Sequence, residues 1–328
     1  MAAHPDAMVA IRNLRLDART EQGPAHILRG IDLDFARGRI IGIVGESGSG
    51  KSTLVSCLLR LLPNNLDRIE GEILFEGTDL LKLPPAEMND WRGRKIAMIF
   101  QDPMTALNPL FTVGTHLRDI LRRRFPQLSR QEIRERSLAM LTKVGISDAP
   151  TRLDAYPHQL SGGMRQRIVI AMALLVEPDL LLADEPTTAL DATVEAQIVE
   201  LLDRLRQDFS GSIVFISHHL GLVAELCDDL CVMYGGAIVE TGPVAEVLAR
   251  PRHPYTRALL DCEIEDGQEG RLATIPGEVP SATWTMDACI FASRCVHAAE
   301  VCRQGPPALL PAGEGRKAAC KRSFEVLP

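Results

Sequence analysis

Ile40-Ile41-Gly42-Ile43-Val44-Gly45-Glu46-Ser47-Gly48-Ser49-Gly50-Lys51-Ser52 is the stretch on which the reading of this chain turns. Ile40 to Val44 is an apolar run of strand length, Gly45 to Ser52 fits G-x-x-x-x-G-K-[S/T], and Thr53 to Leu62 reads as a helix stopped by Pro63. Strand, glycine-rich loop and helix in that order are what a phosphate loop requires. Glycines let backbone N–H groups wrap an anion, and the helix N-terminus turns its positive end toward it. In such a loop Lys51 reaches the β- and γ-phosphates of a nucleotide and Ser52 ligates Mg²⁺. Gly45, Glu46, Ser47, Gly48, Ser49, Gly50 and Thr53 complete the expected nucleotide contact. A plain glycine turn before a helix explains neither the spacing nor the two flanks.

Moving outward, strand-like apolar runs alternate with helical stretches from Val9 to about Leu260, which predicts an α/β fold. Candidate strands are Ile40–Val44, Ile96–Phe100, Leu180–Ala183, Ile213–Ser217 and Leu230–Tyr234. Gly71 to Gly77 reads as a strand of a smaller antiparallel part, and Val232 to Val239 as a hairpin turning at Gly235-Gly236. Between about Met104 and Gln159 the pattern becomes helical. Ser129-Arg130-Gln131-Glu132 is a capping-box sequence before a periodic apolar face at Ile133, Leu138, Leu141 and Val144.

Two further stretches carry chemistry. Leu180 to Ala183 is a hydrophobic strand delivering Asp184 and Glu185 at its C-terminal end. Asp184 then holds Mg²⁺ through water and Glu185 polarises the attacking water, although ordinary surface acids at a strand exit remain open for the pair alone. Leu160-Ser161-Gly162-Gly163-Met164-Arg165-Gln166 opens a helix running to about Val176 and makes a second anion-binding N-terminus. One chain needs one γ-phosphate cradle, so Ser161, Gly162 and Gly163 are expected to serve the nucleotide of a partner chain. An ordinary serine N-cap is the competing reading.

The order and spacing of these motifs resembles an ABC-transporter ATPase subunit over about Val9 to Leu260. The resemblance implies that Gln101 is the Q-loop glutamine, contacting Mg²⁺ and sensing the transmembrane partner. It makes Ala189-Leu190-Asp191 the D-loop, with Asp191 across the dimer interface, and His218 the switch histidine on the γ-phosphate. It implies two nucleotides sandwiched between head-to-tail subunits, with Asp102–Leu117 as hinge and membrane-subunit contact. Two positions depart from the family. His219 stands where an Asp commonly follows the switch histidine, and no aromatic residue lies between Met1 and Phe35 to stack on adenine, which leaves His26 and Arg19 as candidates.

The C-terminal part narrows the resemblance to the oligopeptide/dipeptide/nickel importer group. Arg252-His253-Pro254-Tyr255-Thr256, Ile275-Pro276-Gly277-Glu278-Val279-Pro280-Ser281 and the pattern Cys289, Cys295, Cys302, Cys320, with Phe291 and Arg294, match that group in sequence. Four thiolates there suit a [4Fe–4S] cluster; zinc is the rival, though its usual close C-x₂₋₄-C pairs are absent, and unmetallated thiols or disulfides remain open. The predicted architecture is a P-loop NTPase sheet core with an antiparallel β subdomain, a helical insertion and a small Cys-rich module. Residues 1–262 form the ATPase part, with the helical subdomain at about 104–165, and 263–328 the linker and module.

The composition is compatible with this. The chain has 328 residues, 46% hydrophobic and 24% charged, enough for a sizeable core. Its net charge of −7 speaks against a nucleic-acid partner. Cys57, Cys227, Cys231 and Cys262 read as small buried hydrophobes. No stretch reaches the roughly 18 apolar residues of a spanning helix, and residues 1–11 carry no signal-peptide pattern. The expected protein is an ATP- and Mg²⁺-using motor peripheral to the cytoplasmic face of the inner membrane. Its expected partners are two transmembrane permease subunits, a second ATPase chain and, indirectly, an extracytoplasmic solute-binding protein. Its cargo is expected to be di- or oligopeptides, with nickel or another small solute as alternatives. A soluble ABC ATPase acting on DNA or ribosomes would be expected to show a coiled-coil insertion or a second cassette, and neither is visible.

Overall fold

The first described element is a long hairpin of β1 (Ala7–Thr20) and β2 (Gly23–Ala36), in a computed structural model that describes residues 7–188, 191–263 and 274–327. Val9 and Ile11 point inward, and so do Leu14 and Leu16, although strict alternation would turn the second pair outward. A register shift between Ile11 and Leu14, with Asn13 at φ +44°, inserts the extra residue that restores the inward face. After β3 (Ile40–Val44), every residue of which is buried, comes the helix Lys51–Leu58. That helix ends four residues before the predicted Leu62, and Arg60 beyond it takes the left-handed conformation. β4 (Leu66–Phe75) and β5 (Thr78–Asp79) follow, giving a four-stranded antiparallel sheet ordered β2-β1-β4-β5.

The chain clusters into two units, Met1–Leu83 with Phe215–Pro328, and Pro84–Val214. In the second unit β6 (Ile96–Ile99) and β7 (Leu180–Asp184) pair in parallel, Ile96 opposite Leu180 and Ile99 opposite Ala183. Between them run the helices Val113–Arg124 and Arg130–Lys143 and then Gly162–Leu174, so the predicted helical insertion is present. The capping box at Ser129 forms: its hydroxyl accepts from the Glu132 N–H, and Glu132 accepts from the Ser129 N–H. Helix Ala192–Asp208 and β8 (Ser212–Ile216) lead out of this unit.

Back in the first unit, β9 (Asp229–Tyr234) lies parallel to β3 and antiparallel to β10 (Ala237–Pro243). Gly235 and Gly236 make the predicted turn with φ of +52° and +85°, which matches the right-handed twist of the flanking strands. A short ribbon, β11 (Leu310–Pro311) and β12 (Lys317–Ala318), extends this part of the sheet in the order β11-β12-β10-β9-β3. The buried Arg316 pins the ribbon by bonding Glu240, which is fully buried, at 3.0 Å. No helix among the described residues is long and apolar enough to cross a membrane.

Candidate functional site: a phosphate loop and a held glutamate

In the first unit the loop Gly45–Ser52 closes on itself. Lys51 is buried, and its ammonium donates to the carbonyls of Gly45 at 2.7 Å and Glu46 at 3.1 Å. Gly45, at φ +151°, lies so close to β9 that a Cβ there would sit 2.1 Å from the Met233 carbonyl oxygen. Gly50, at φ +94°, is the N-cap of the helix and makes no side-chain cap. Ser47, Gly48 and Ser52 are exposed on the loop's outer side and Thr53 is half-buried, whereas Ser49 is buried and its backbone oxygen accepts from the Gly236 N–H. His218, exposed just beyond β8, lies 4.3 Å from the His219 ring. The Ser217 hydroxyl accepts from the His219 N–H, which organises the turn where the family pattern has an Asp.

The adenine candidates are both engaged on the β1–β2 hairpin. His26 Nδ1 is 2.7 Å from an Asp17 oxygen, and Arg19 pairs with Asp67 at 3.0 Å.

In the second unit, the strand β7 buries Asp184 and hands Glu185 to the turn that follows, with Glu185 at φ +46°. A non-glycine residue in that region is strained, and such strain is held only where surroundings over-determine it. Here they do. Gln101 Nε2 donates to Glu185 Oε2 at 3.0 Å, and the Thr188 hydroxyl donates to the same oxygen at 2.9 Å. Gln166, 1% exposed, donates to the Pro186 carbonyl at 2.6 Å and ties that turn to helix Gly162–Leu174. The sequence reading placed Gln101 and Glu185 but assigned no part to Thr188 or Gln166. Gln166 sits five residues into a glycine-opened helix on its buried side, and a polar residue there is a signal for a structural bond.

Ser161 caps helix Gly162–Leu174, its hydroxyl oxygen accepting from the Met164 N–H at 3.3 Å. The cap uses a lone pair, so the hydroxyl proton remains free to donate elsewhere. Asp191 caps helix Ala192–Asp208 through Val194 N–H at 3.0 Å, while Ala189 and Leu190 of the expected D-loop lie outside the described residues, as do 264–273 of the linker.

The four C-terminal cysteines do not gather into the expected cluster site. Cys289, Cys295, Cys302 and Cys320 do line one cavity, with His253 and Phe291, but it is about 20 Å³, room for about one water. Among the described residues no three His, Cys, Asp or Glu side chains are arranged to hold a metal ion. Cluster ligands are thiolates, and burial pushes the Cys289 thiol up to about 11 and raises Cys295 and Cys320 as well, which favours protonated sulfur. The four cysteines therefore do not make the expected iron–sulfur site, and the same arrangement does not suit zinc. Of the scattered cysteines, Cys57, Cys227 and Cys231 are buried as expected and Cys262 is half-buried.

Comparison with known proteins gives these motifs a family. Residues 28–188 match the family model described as ABC transporter, and 239–302 match that of the oligopeptide/dipeptide transporter C-terminal region. A relative from Sinorhizobium fredii named "Probable peptide ABC transporter ATP-binding protein y4tR" is 45% identical, over 98% of this chain and 97% of its own. The chain belongs to the ABC transporter ATPase family. The oligopeptide transport ATP-binding protein OppD of Salmonella typhimurium is 43% identical over 98% of this chain and 96% of its own. Among solved ABC structures, the dimeric MJ0796 cassette superposes with a TM-score of 0.64 at 28% identity, covering 72% of this chain and 99% of that one. CbiO1 of Clostridium perfringens, part of the CbiONQ transporter, gives 0.62 at 28% identity, covering 74% of this chain and 91% of that one. Like other ABC ATPases, this chain combines a mixed α/β cassette with an antiparallel sheet and helices.

Proposed function

We propose that the chain is the ATP-hydrolysing motor subunit of a membrane importer of di- or oligopeptides. The observation that carries the chemistry is the Glu185 carboxylate, presented from a strand end in a strained backbone and gripped by Gln101 and Thr188. ATP lodges its phosphates on the loop Gly45–Thr53, with Lys51 exchanging its two carbonyl bonds for phosphate oxygens. Glu185 polarises the water that attacks the γ-phosphorus and accepts its proton, the bond from phosphorus to the bridging β–γ oxygen breaks with its electron pair going to ADP, and ADP and inorganic phosphate leave. His218 hydrogen-bonds the γ-phosphate. The hydroxyl of Ser52, the side-chain carbonyl of Gln101 and the carboxylate of Asp184 are the oxygen donors that would hold Mg²⁺, and such hard oxygen ligands suit that ion. That ion, when bound, neutralises charge developing on the phosphate oxygens.

The Gln101–Glu185 bond gives the reaction a gate. While Gln101 and Thr188 both donate to Glu185 Oε2, that oxygen of the base carries two hydrogen bonds; a movement of Gln101 removes one of them and raises its basicity. Ser161, Gly162, Gly163 and Asp191 act in trans on the nucleotide of a second ATPase chain, and the capped Ser161 has its proton to give. Exposed Met104, Leu110 and Phe111 offer apolar side chains in the segment Asp102–Leu117 expected to grip the membrane subunits. On this reading 1–262 is the ATPase part, with its helical subdomain at about 104–165, and 263–328 a C-terminal module. The subunit works at the cytoplasmic face of the inner membrane with two permease subunits and an extracytoplasmic binding protein. Similarity to peptide-importer subunits over nearly the whole chain, C-terminal region included, supports peptides as cargo.

The test is the complete transporter in proteoliposomes. Glu185→Gln should lower ATP hydrolysis by roughly 100-fold or more while ATP binding persists; a rate near that of the unmodified protein overturns the role of Glu185. Hydrolysis should rise with peptide-loaded binding protein. Stimulation by nickel and not by peptides moves the assignment to the related solute class.

A further inference from the structure

The C-terminal region reaches back to the phosphate loop, and the residue it grips belongs to the loop. Glu46 occupies the loop's first variable position. Its backbone N–H donates to the Tyr255 hydroxyl at 2.8 Å, and its Oε2 accepts from Arg294 Nη1 at 2.8 Å. The Arg294 side chain is 5% exposed, and every arm is fixed. Nε donates to the Pro276 carbonyl and Nη2 to the Ile275 carbonyl, each at 2.9 Å, and Nη1 also reaches the Tyr234 hydroxyl at 3.2 Å. Gly277 turns here at φ +79° against the Arg294 stem; a Cβ would lie 3.3 Å from its Cγ. Tyr255 is fully buried, its ring 4.6 Å from Tyr234 and 5.4 Å from Phe291.

A second tie runs in parallel. Arg29 of β2, 7% exposed, donates to the carbonyls of Gly235, Ala282 and Trp284, and Gly236 next in the chain donates to the Ser49 carbonyl. The loop is thus braced at both Glu46 and Ser49 by structure that the C-terminal region holds.

An amide engaged by Tyr255 is not offered to phosphate, so the contribution of Glu46 is to shape. The loop carries positive φ at Gly45, Gly48 and Gly50, and glycines leave such a loop many unproductive shapes. Holding it in one shape before ATP arrives removes an ordering cost from binding. We infer that Arg294 and Tyr255 are positioning residues for ATP: the C-terminal region preorganises the phosphate loop through Glu46 and so sets nucleotide affinity. The inference rests on the ATP-binding reading above. Because coupling is reciprocal, ATP also stabilises the C-terminal region.

The experiment measures equilibrium binding of a fluorescent ATP analogue to the full chain, with thermal melts alongside. Tyr255→Phe keeps the ring and deletes the acceptor; Arg294→Met deletes the charge. Each should weaken binding roughly tenfold, and Glu46→Gln combined with Arg294→Met should be no weaker than the worse single change, since both cut one contact. ATP should raise the melting temperature of the unmodified chain more than that of Tyr255→Phe. Arg316→Lys, which disturbs the Arg316–Glu240 pair elsewhere in the same region, should lower the melting temperature yet keep affinity within about twofold. Unchanged affinity in Tyr255→Phe and Arg294→Met overturns the inference. So does an Arg316→Lys loss as large as theirs, which would mean general loosening. Failure of the unmodified chain to bind the analogue overturns the ATP reading itself and is distinguishable from both.

Discussion

Two helices of this chain open at glycine-rich segments, and they are built differently. Lys51–Leu58 starts from Gly50 in the left-handed region without a side-chain cap, after a loop whose shape is set by backbone approach to β9 and by Tyr255 and Arg294. Gly162–Leu174 starts from Ser161, an ordinary β-region N-cap that satisfies its own first turn. The first therefore has no side-chain cap of its own and depends on distant residues to hold the loop before it in shape. The second is complete by itself, and its spare group is one hydroxyl proton. A helix end that needs the tertiary structure is suited to gripping an anion, and one that caps itself is suited to presenting a single bond to a partner.

The contrast can be broken or sharpened by substitution. Gly45→Ala should be the most severe change, because its Cβ meets a backbone oxygen that has nowhere to go and the φ disfavours any side chain; a loss of roughly 3 kcal/mol or more in denaturant unfolding, with ATP binding abolished, is expected. Acid comes next. Burial pushes the His253 ring down to about 3, beside the Tyr255 N–H that its Nδ1 accepts. The folded state then binds fewer protons than the unfolded one from about pH 6.5 down to about 3, so stability is present above this window and falls as pH drops through it. By pH 5 the fall should approach about 2 kcal/mol, and His253→Asn should flatten the profile in pH-dependent melts.

Ser161→Ala should cost about 1 kcal/mol through the lost cap. ATP binding to the isolated chain should be unchanged, while hydrolysis by the complete transporter should fall, so a binding assay and an assembled assay separate the two roles. Gly163→Ala is the mildest. Its Cβ would meet the side chain of Val194, 2.7 Å away at Cγ1, and no backbone oxygen, and its φ is not in the left-handed region, so a loss of at most about 1 kcal/mol is expected. If Gly163→Ala proved as damaging as Gly45→Ala, the contrast between a backbone-set loop and a self-capped one would fall.

Much of this was legible along the chain. The strand Ile40–Val44 and the helix start at Lys51 were legible because a buried strand, glycines that permit positive φ and a helix start are local properties. The hairpin at Gly235-Gly236 and the capping box at Ser129 were visible for the same reason. The bulge at Asn13, and with it the inward face of β1, was not, because a register shift is decided by the partner strand. The cysteine spacing suggested convergence, and the four residues do reach one cavity; ligation also needs the sulfurs aimed at one point, which packing around Phe291 and His253 governs and spacing does not.

By itself, then, the order of residues determined the cassette: which strands Gln101, Glu185 and His218 follow, and where the glycine loop meets its helix, since each rests on neighbours within a few positions. Tertiary structure alone decided how those groups are held. Gln101 finds Glu185 across 84 residues, and Tyr255 and Arg294 find Glu46 across 209 and 248. Hydrogen bonds of that span depend on how buried strands and loops stack, and no local pattern of apolar and polar residues encodes the distance between their ends.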